Sequence, residues 1–188
     1  RRQRQMCIRD RFLMLSTQAS SAEKLSIEKQ LVGIVGAISG TVKTETRELK
    51  AGDKIYLNET IFAAPGSGTQ ILLLDQSTFT VGEDSEVVMD TFIFDPETND
   101  GKIVASVKQG SLKVISGLIS KKNPDSLTVE VPEGTLGSRG TEFQTIVSKG
   151  KTDTLLIGPG KNNTLGMRPG AVLVGNNLGQ TLLDNPYS

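Results

Sequence analysis

Apolar residues fall at every second position along much of this chain. Leu127, Val129 and Val131 share one side of an extended segment, with Thr128 and Glu130 on the other, the period-2 pattern of a half-buried strand. Ile103, Ala105 and Val107 alternate in the same way against Val104, Ser106 and Lys108. Val32, Ile34, Val35 and Ile38, interleaved with Gly33 and Gly36, predict an earlier strand that Gly40–Thr44 continues. Ile71-Leu72-Leu73-Leu74 is an unbroken apolar run, and predicts a strand covered on both faces. Leu112 and Val114 just past Gly110, Leu155 and Ile157, and Val172 and Val174 mark further strands.

Turn-forming clusters separate these runs: Ala51-Gly52-Asp53, Pro65-Gly66-Ser67-Gly68, Thr98-Asn99-Asp100-Gly101, Pro132-Glu133-Gly134 and Arg168-Pro169-Gly170. Gly and Pro at such spacing punctuate short strands. The polar stretch 23–30 holds the only plausible short helix start. With no helical period of useful length between strands, a parallel sheet with helical crossovers is not expected. The pattern predicts an all-β fold of many short strands, in a twisted sandwich, barrel or short solenoid. It sets one β domain at residues 31–175, with 176–188 as a tail or the start of a continuation.

Composition narrows the chemistry. The chain of 188 residues contains no His and one cysteine, Cys7. The commonest general base and metal ligand is therefore missing, and neither a disulfide nor a thiolate metal site can form within one chain. Lys plus Arg and Asp plus Glu number 21 each, so no global field draws nucleic acid or an anionic membrane. The expectation is a non-enzymatic protein with no catalytic residues, cofactor or metal, and no nucleic-acid partner.

Four local patterns nevertheless invite a chemical reading. Asp95-Pro96-Glu97-Thr98-Asn99-Asp100-Gly101 resembles a calcium loop, but Gly101 falls one place late and Ser106 stands where a bidentate Glu belongs. A tight turn accounts for the same residues. Ser21-Ala22-Glu23-Lys24 and Ser26-Ile27-Glu28-Lys29 match a Ser-x-x-Lys spacing without its companion elements. Gly158-Pro159-Gly160-Lys161 lacks the spacing of a phosphate loop and reads as a turn. Glu83, Asp84, Glu86 and Asp90 offer carboxylates for glycoside chemistry, but alternation on a solvated strand face explains them.

The start of the chain differs from the rest. Residues 1–11 carry five arginines and the lone cysteine. This run resembles translated adapter sequence at the end of an assembled fragment; a basic arm or the charged region of a signal peptide is the alternative. Phe12-Leu13-Met14-Leu15, followed by the small polar run Ser16–Ala22, matches the end of a truncated signal peptide with a cut before Glu23. Residues 12–30 are thus read as leader and polar lead-in, and the body as exported. No apolar run is long enough for a spanning helix.

Several segments, in order, resemble the FecR-type domain. They are Gly33–Val42, the Leu49-Lys50-Ala51-Gly52-Asp53 element, Ile61–Ala64, the Leu74-Asp75-Gln76-Ser77 hairpin and the Gln109-Gly110 strand. The last is Gly137-Ser138-Arg139-Gly140-Thr141 after Val129–Pro132, similar to the Gly-x-Arg-Gly-Thr signature. The resemblance runs from about residue 32 to 148. It implies an all-β domain of a bacterial exported protein, periplasmic or on the cell surface, that binds or regulates a protein or glycan of the envelope. It also implies two alternatives: the periplasmic sensory part of a sigma-factor regulator in iron–siderophore signalling, or a structural β module of a larger surface protein. Ahead of the β domain the chain shows neither an anti-sigma helix bundle nor a spanning helix, which favours the exported binding module. The residues marked by the resemblance are Gly52, Asp53, Gln109, Gly110, Gly137, Arg139, Gly140 and Thr141, as turn formers or as partner contacts. Gly137 and Gly140 are expected to supply special backbone conformations. Arg139 is expected to pair a buried carboxylate or read an anionic ligand.

Overall fold

A computed structural model describes residues 29–164 and 166–187. The opening basic run, the leader and the serines of both Ser-x-x-Lys matches lie outside the described residues. Within them the elements run β1 (Leu31–Ser39), β2 (Val42–Lys43), β3 (Lys54–Tyr56), β4 (Thr60–Ala63), β5 (Gly68–Leu73), β6 (Thr78–Val81) and β7 (Ser85–Phe94). They continue with β8 (Gly101–Ile115), α1 (Leu118–Lys122), β9 (Leu127–Val131), β10 (Gly134–Arg139), β11 (Glu142–Ser148), β12 (Lys151–Gly158), β13 (Ala171–Asn176) and β14 (Gly179–Leu183). The fold is all-β, and among the described residues no helix is long and apolar enough to cross a membrane.

The strands form two layers joined through β8. Its first half pairs with β7 and β9, and its second half with β6 and β11. One layer therefore runs β3-β1-β5-β6-β8-β11-β12, and the other β2-β4-β7-β8-β9-β10-β13-β14. The change of partners falls at Gly110, whose φ is +86°. A Cβ at this position would overlap Ser85 and approach the Asp84 carbonyl. Only glycine meets both demands, a left-handed backbone and close approach of a neighbouring chain.

The core lies between the layers. Across the first, Val35, Ile71, Phe79, Val114, Phe143 and Leu156 stand opposite one another in register on six strands, and all six are buried. Across the second, Phe92, Ile103, Leu127, Ser138 and Val172 form the matching row. All belong to one buried set save Ser138, which is a hydroxyl on a core-facing position. Each large apolar side chain buried in this way contributes about 1.5–3 kcal/mol.

Three expectations are corrected here. The run Ile71–Leu74 is covered on one face only: Ile71 and Leu73 are buried, whereas Leu72 and Leu74 are nearly half exposed, because none of the described residues packs on the outer face of the first layer. Two strands, β8 and β9, pair in parallel; their connection contains α1, a helix of five residues, too short to show a 3.6-residue period. The sheet also continues past residue 175, since β14 pairs along β13 from Asn176↔Gly179 to Val172↔Leu183. Glycine and asparagine in Asn176-Asn177-Leu178-Gly179 form that turn, with the Asn176 Oδ1 accepting from the Leu178 and Gly179 amides.

Candidate functional site

One end of the sandwich gathers α1, the turn between β10 and β11, and the long connection from β12 to β13. Local chemistry fixes each. The chain leaves β8 at Ser116, and Gly117 presses so closely on the β5–β6 hairpin that a Cβ would meet its backbone. Buried Asp75 organises that hairpin: its carboxylate accepts from the Ser77 amide (3.0 Å) and hydroxyl (2.8 Å). The Ser77 Oγ in turn accepts from the Gly117 amide (2.9 Å), and the Asp75 carbonyl from the Leu118 amide (2.8 Å). The start of α1 is thus tied to the hairpin by two backbone donors.

A second polar cluster holds the β10–β11 turn. The Ser116 hydroxyl donates to the Thr141 carbonyl (2.8 Å) and accepts from the Thr141 amide (3.2 Å). Having given its single proton there, it must accept from the Ser138 hydroxyl at 2.9 Å. The hydroxyls of Ser116, just past β8, and Ser138, on β10, and the backbone of Thr141 in the turn are therefore satisfied by one another. Gly140 turns the chain between them with φ +65°, a conformation costly for other residues.

Above this cluster opens a cleft of about 710 Å³, within the range of about 300–1,000 Å³ common for small-ligand sites. One wall carries Ser116, Ser120, Lys121 and Pro124; the floor carries Arg139, Gly140 and Thr141. The facing wall comes from the β12–β13 connection, with Pro159, Lys161, Met167, Arg168 and Gly170. That connection is pinned down. Gly170 donates to the Pro159 carbonyl (2.8 Å), and Asn163 bonds both to Gly160 and to Met167. Gly170 lies against Thr141 so tightly that any Cβ would overlap its side chain.

Among the described residues, two hydroxyls in this cleft have no partner. Ser120 Oγ and Thr141 Oγ1 are buried and make no hydrogen bond, in residues only 1% and 3% exposed. A buried polar group left unpaired costs about 1–3 kcal/mol, and native structures tolerate few. The charges at the rim sort into two groups. Lys161 pairs with Asp184 (2.9 Å), Arg139 with Asp125 (2.8 Å) and Glu142 with Lys113 (2.6 Å). Lys121 and Arg168 have no carboxylate partner among the described residues; Arg168 spends one donor on the Lys121 carbonyl (3.0 Å). The cleft therefore pairs aliphatic walls with unpaired hydroxyls and net positive charge.

Of the eight residues marked from sequence, three meet in this cleft: Arg139, Gly140 and Thr141. Arg139 does pair a carboxylate, but Asp125 is exposed rather than buried. Gly137 stands in regular β10 opposite Thr128 and Leu173, outside the left-handed region, and a Cβ there would make only ordinary contacts. It supplies no special conformation. Gly52 and Asp53 form the turn that docks on the irregular stretch of β1: the Gly52 amide donates to the Val35 carbonyl, and the Val35 amide to the Asp53 carbonyl. Gln109 and Gly110 sit at the switch of sheets in β8. Asp95 and its neighbours form the β7–β8 turn, with the Asp95 carboxylate accepting from the Glu97 amide and Thr98 hydroxyl, and Asp100 paired with Lys122. The carboxylate stretch is dispersed: Glu83 accepts from the Gly66 amide, Asp84 lies in a turn, and Glu86 pairs with Lys108.

Sequence reasoning missed Ser116, Ser120 and Lys121, and treated Arg168 and Gly170 only as turn residues. No periodic signal marks them; Ser120 sits in a helix too short to be seen.

The family model for the FecR protein matches residues 59–157, more than half of the chain. The chain belongs to the FecR family. No curated protein and no solved structure matches it. FecR domains are regulatory and sensory modules of signalling systems, associated with the bacterial envelope. The matched segment runs from the start of β4 to the end of β12, so it includes α1 and the signature turn. The facing-wall residues Pro159, Lys161, Met167, Arg168 and Gly170 all follow the matched segment.

Proposed function

We propose that this FecR-family chain is an exported, non-catalytic module that recognises a protein or glycan of the cell envelope, and that it does so through the cleft at the signature turn. The observation that carries this reading is the pair of buried, unpartnered hydroxyls, Ser120 Oγ and Thr141 Oγ1, lining a cleft beside the family signature. A rigid double-layered scaffold presenting such a site on its connections suits recognition, which proteins place on loops held by a framework. The apolar leader-like stretch Phe12–Leu15 supports export. The family is one of regulatory modules, and the residues around the cleft supply binding groups rather than an acid–base pair: the chain has no His, and the cleft carboxylates Glu142 and Asp184 are held by lysines.

The test is capture. The full chain, biotinylated at an introduced surface cysteine after Cys7→Ser, is incubated with detergent-solubilised envelope proteins and, separately, with purified peptidoglycan. Retention of a discrete protein or of peptidoglycan, diminished when Lys121 and Arg168 are both changed to Glu, is the expected result. No retention from either source, or retention equal for both forms, overturns the reading.

A further inference from the structure

We infer that the cleft binds a small aliphatic carboxylate, held by Arg168 and Lys121 at the rim and by the Ser120 and Thr141 hydroxyls within. The inference rests on the cleft being the recognition surface and goes further in naming what fills it.

Charge selects the sign of the ligand. Four basic residues line the cleft against two acidic ones, and both acids are already engaged by lysines. After pairing, Lys121 and Arg168 are left. The guanidinium of Arg168 offers five donors in a planar fork, and its bond to the Lys121 carbonyl uses one. A carboxylate is the planar acceptor that such a fork matches. The hydroxyls select a polar acceptor as well: an O–H with no internal partner recovers its hydrogen bond when an oxygen enters. The Ser116 hydroxyl beneath cannot compete for it, because its proton and acceptor capacity are already used.

The walls select the body of the ligand. Ile115, Pro124, Pro159, Met167 and Pro169 make the cleft mainly aliphatic, and no aromatic ring among the described residues lines it. A branched aliphatic group fits Met, Pro and Ile surfaces by simple area burial. Two sources carry this chemistry: a free aliphatic acid, or the C-terminal end of an apolar peptide.

The experiment titrates the ¹⁵N-labelled full chain with three probes, each followed by amide shifts at low ionic strength. They are N-acetyl-leucine, standing for a peptide end; 4-methylpentanoate, standing for a free acid; and N-acetyl-leucinamide, the neutral control. Probes of this size are expected to bind with Kd of about 1 mM, moving Ser120, Lys121, Thr141 and Arg168 while the control binds at least about tenfold more weakly. Binding of both acids assigns free aliphatic acids; binding of N-acetyl-leucine alone assigns a peptide end. Changing Lys121 and Arg168 together to Gln, at two exposed positions, should weaken the acids about tenfold or more. Thr141→Val, which keeps every charge, should weaken them several-fold. The inference is overturned when neither acid shifts these amides at about 20 mM, twenty times the expected Kd, when the amide control binds as well as the acids, or when the shifts map elsewhere. Failure of the acids with envelope capture still dependent on Arg168 removes the ligand class alone; loss of that capture as well removes the reading of the cleft.

Discussion

Replacing Thr141 by Val should make the protein more stable, which is unusual for a buried residue beside a family signature. Thr141 is 3% exposed. Its amide and carbonyl are both bonded to Ser116, and a valine keeps these backbone bonds and the branched shape. What changes is Oγ1, which has no partner. Removing an unpaired buried hydroxyl recovers about 1–3 kcal/mol of desolvation cost. The expected gain, after allowing for imperfect fit, is about 1–2 kcal/mol, or a rise in Tm of roughly 2–8 °C for a chain of this size.

Equilibrium urea unfolding followed by far-UV circular dichroism is the suitable assay, since the chain has no Trp. Two companion variants sharpen it. Thr141→Ser keeps the hydroxyl and loses a methyl, so it should destabilise by about 1 kcal/mol. Ser116→Ala removes the atom that satisfies both Ser138 and the Thr141 amide, and should cost about 2–4 kcal/mol. If Thr141→Val is instead destabilising by more than about 1 kcal/mol, the hydroxyl is satisfied inside the protein, and the argument for an unfilled site at this position fails. A gain in stability bought with lost ligand affinity is the signature of a residue kept for binding.

Other expectations follow from the framework. Gly110→Ala places a Cβ on a left-handed backbone and into Ser85, and should cost about 2–4 kcal/mol; a loss under about 1 kcal/mol in the same urea assay would contradict the account of the sheet switch. Asp75→Ala frees the Ser77 amide and the Ser77 hydroxyl, which accepts from Gly117, and should lower stability by about 2–3 kcal/mol while raising amide exchange at Leu118. With acid, stability should fall in a window set by the turn of β7 and β8. The Thr98 hydroxyl holds the Asp95 carboxyl below its usual 3.8, and Lys122 does the same for Asp100. Their contribution is complete above 3.8 and is lost as the pH drops through the lower folded values. Because the chain has no His, urea midpoints should change little between pH 6 and 8 at about 25 °C.

The fold was legible where one face alone decides a residue's character. At Leu127 and Val129, buried between half-buried Thr128 and exposed Glu130, the alternation in sequence is the alternation of burial, because β9 has one face toward the core. The same logic misled at Leu72 and Leu74. An apolar run is ambiguous between a strand covered on both sides and one with an oily outer face, and only the absence of a further layer resolves it. The switch at Gly110 was half visible: alternation is broken there, with Val107 and Leu112 both buried though five positions apart. The sequence does not say that this break divides one long strand between two layers. That is a property of the partners, which lie as far away as β6, β9 and β11.

The cleft was less legible for a related reason. Its floor comes from Gly140 and Thr141, which stand in a compact motif, but its chemistry is completed by Ser120 and Arg168, which carry no local pattern of their own. Ser120 is buried only because α1 must cross between the parallel strands β8 and β9. Arg168 faces the cleft only because Gly170 packs on Thr141 and fixes the last stretch of the β12–β13 connection. This division has a consequence for how the site works. The signature residues are largely consumed in building: Gly140 turns the chain, Thr141 bonds Ser116 through its backbone and keeps only its hydroxyl for a ligand, and Arg139 is held by Asp125. The charge left over for a ligand lies on Lys121 and Arg168, on two connections facing each other across that floor. A motif can therefore mark where a site is while contributing little of its selectivity, and changes at Lys121 or Arg168 should retune the ligand without disturbing the fold that the motif secures.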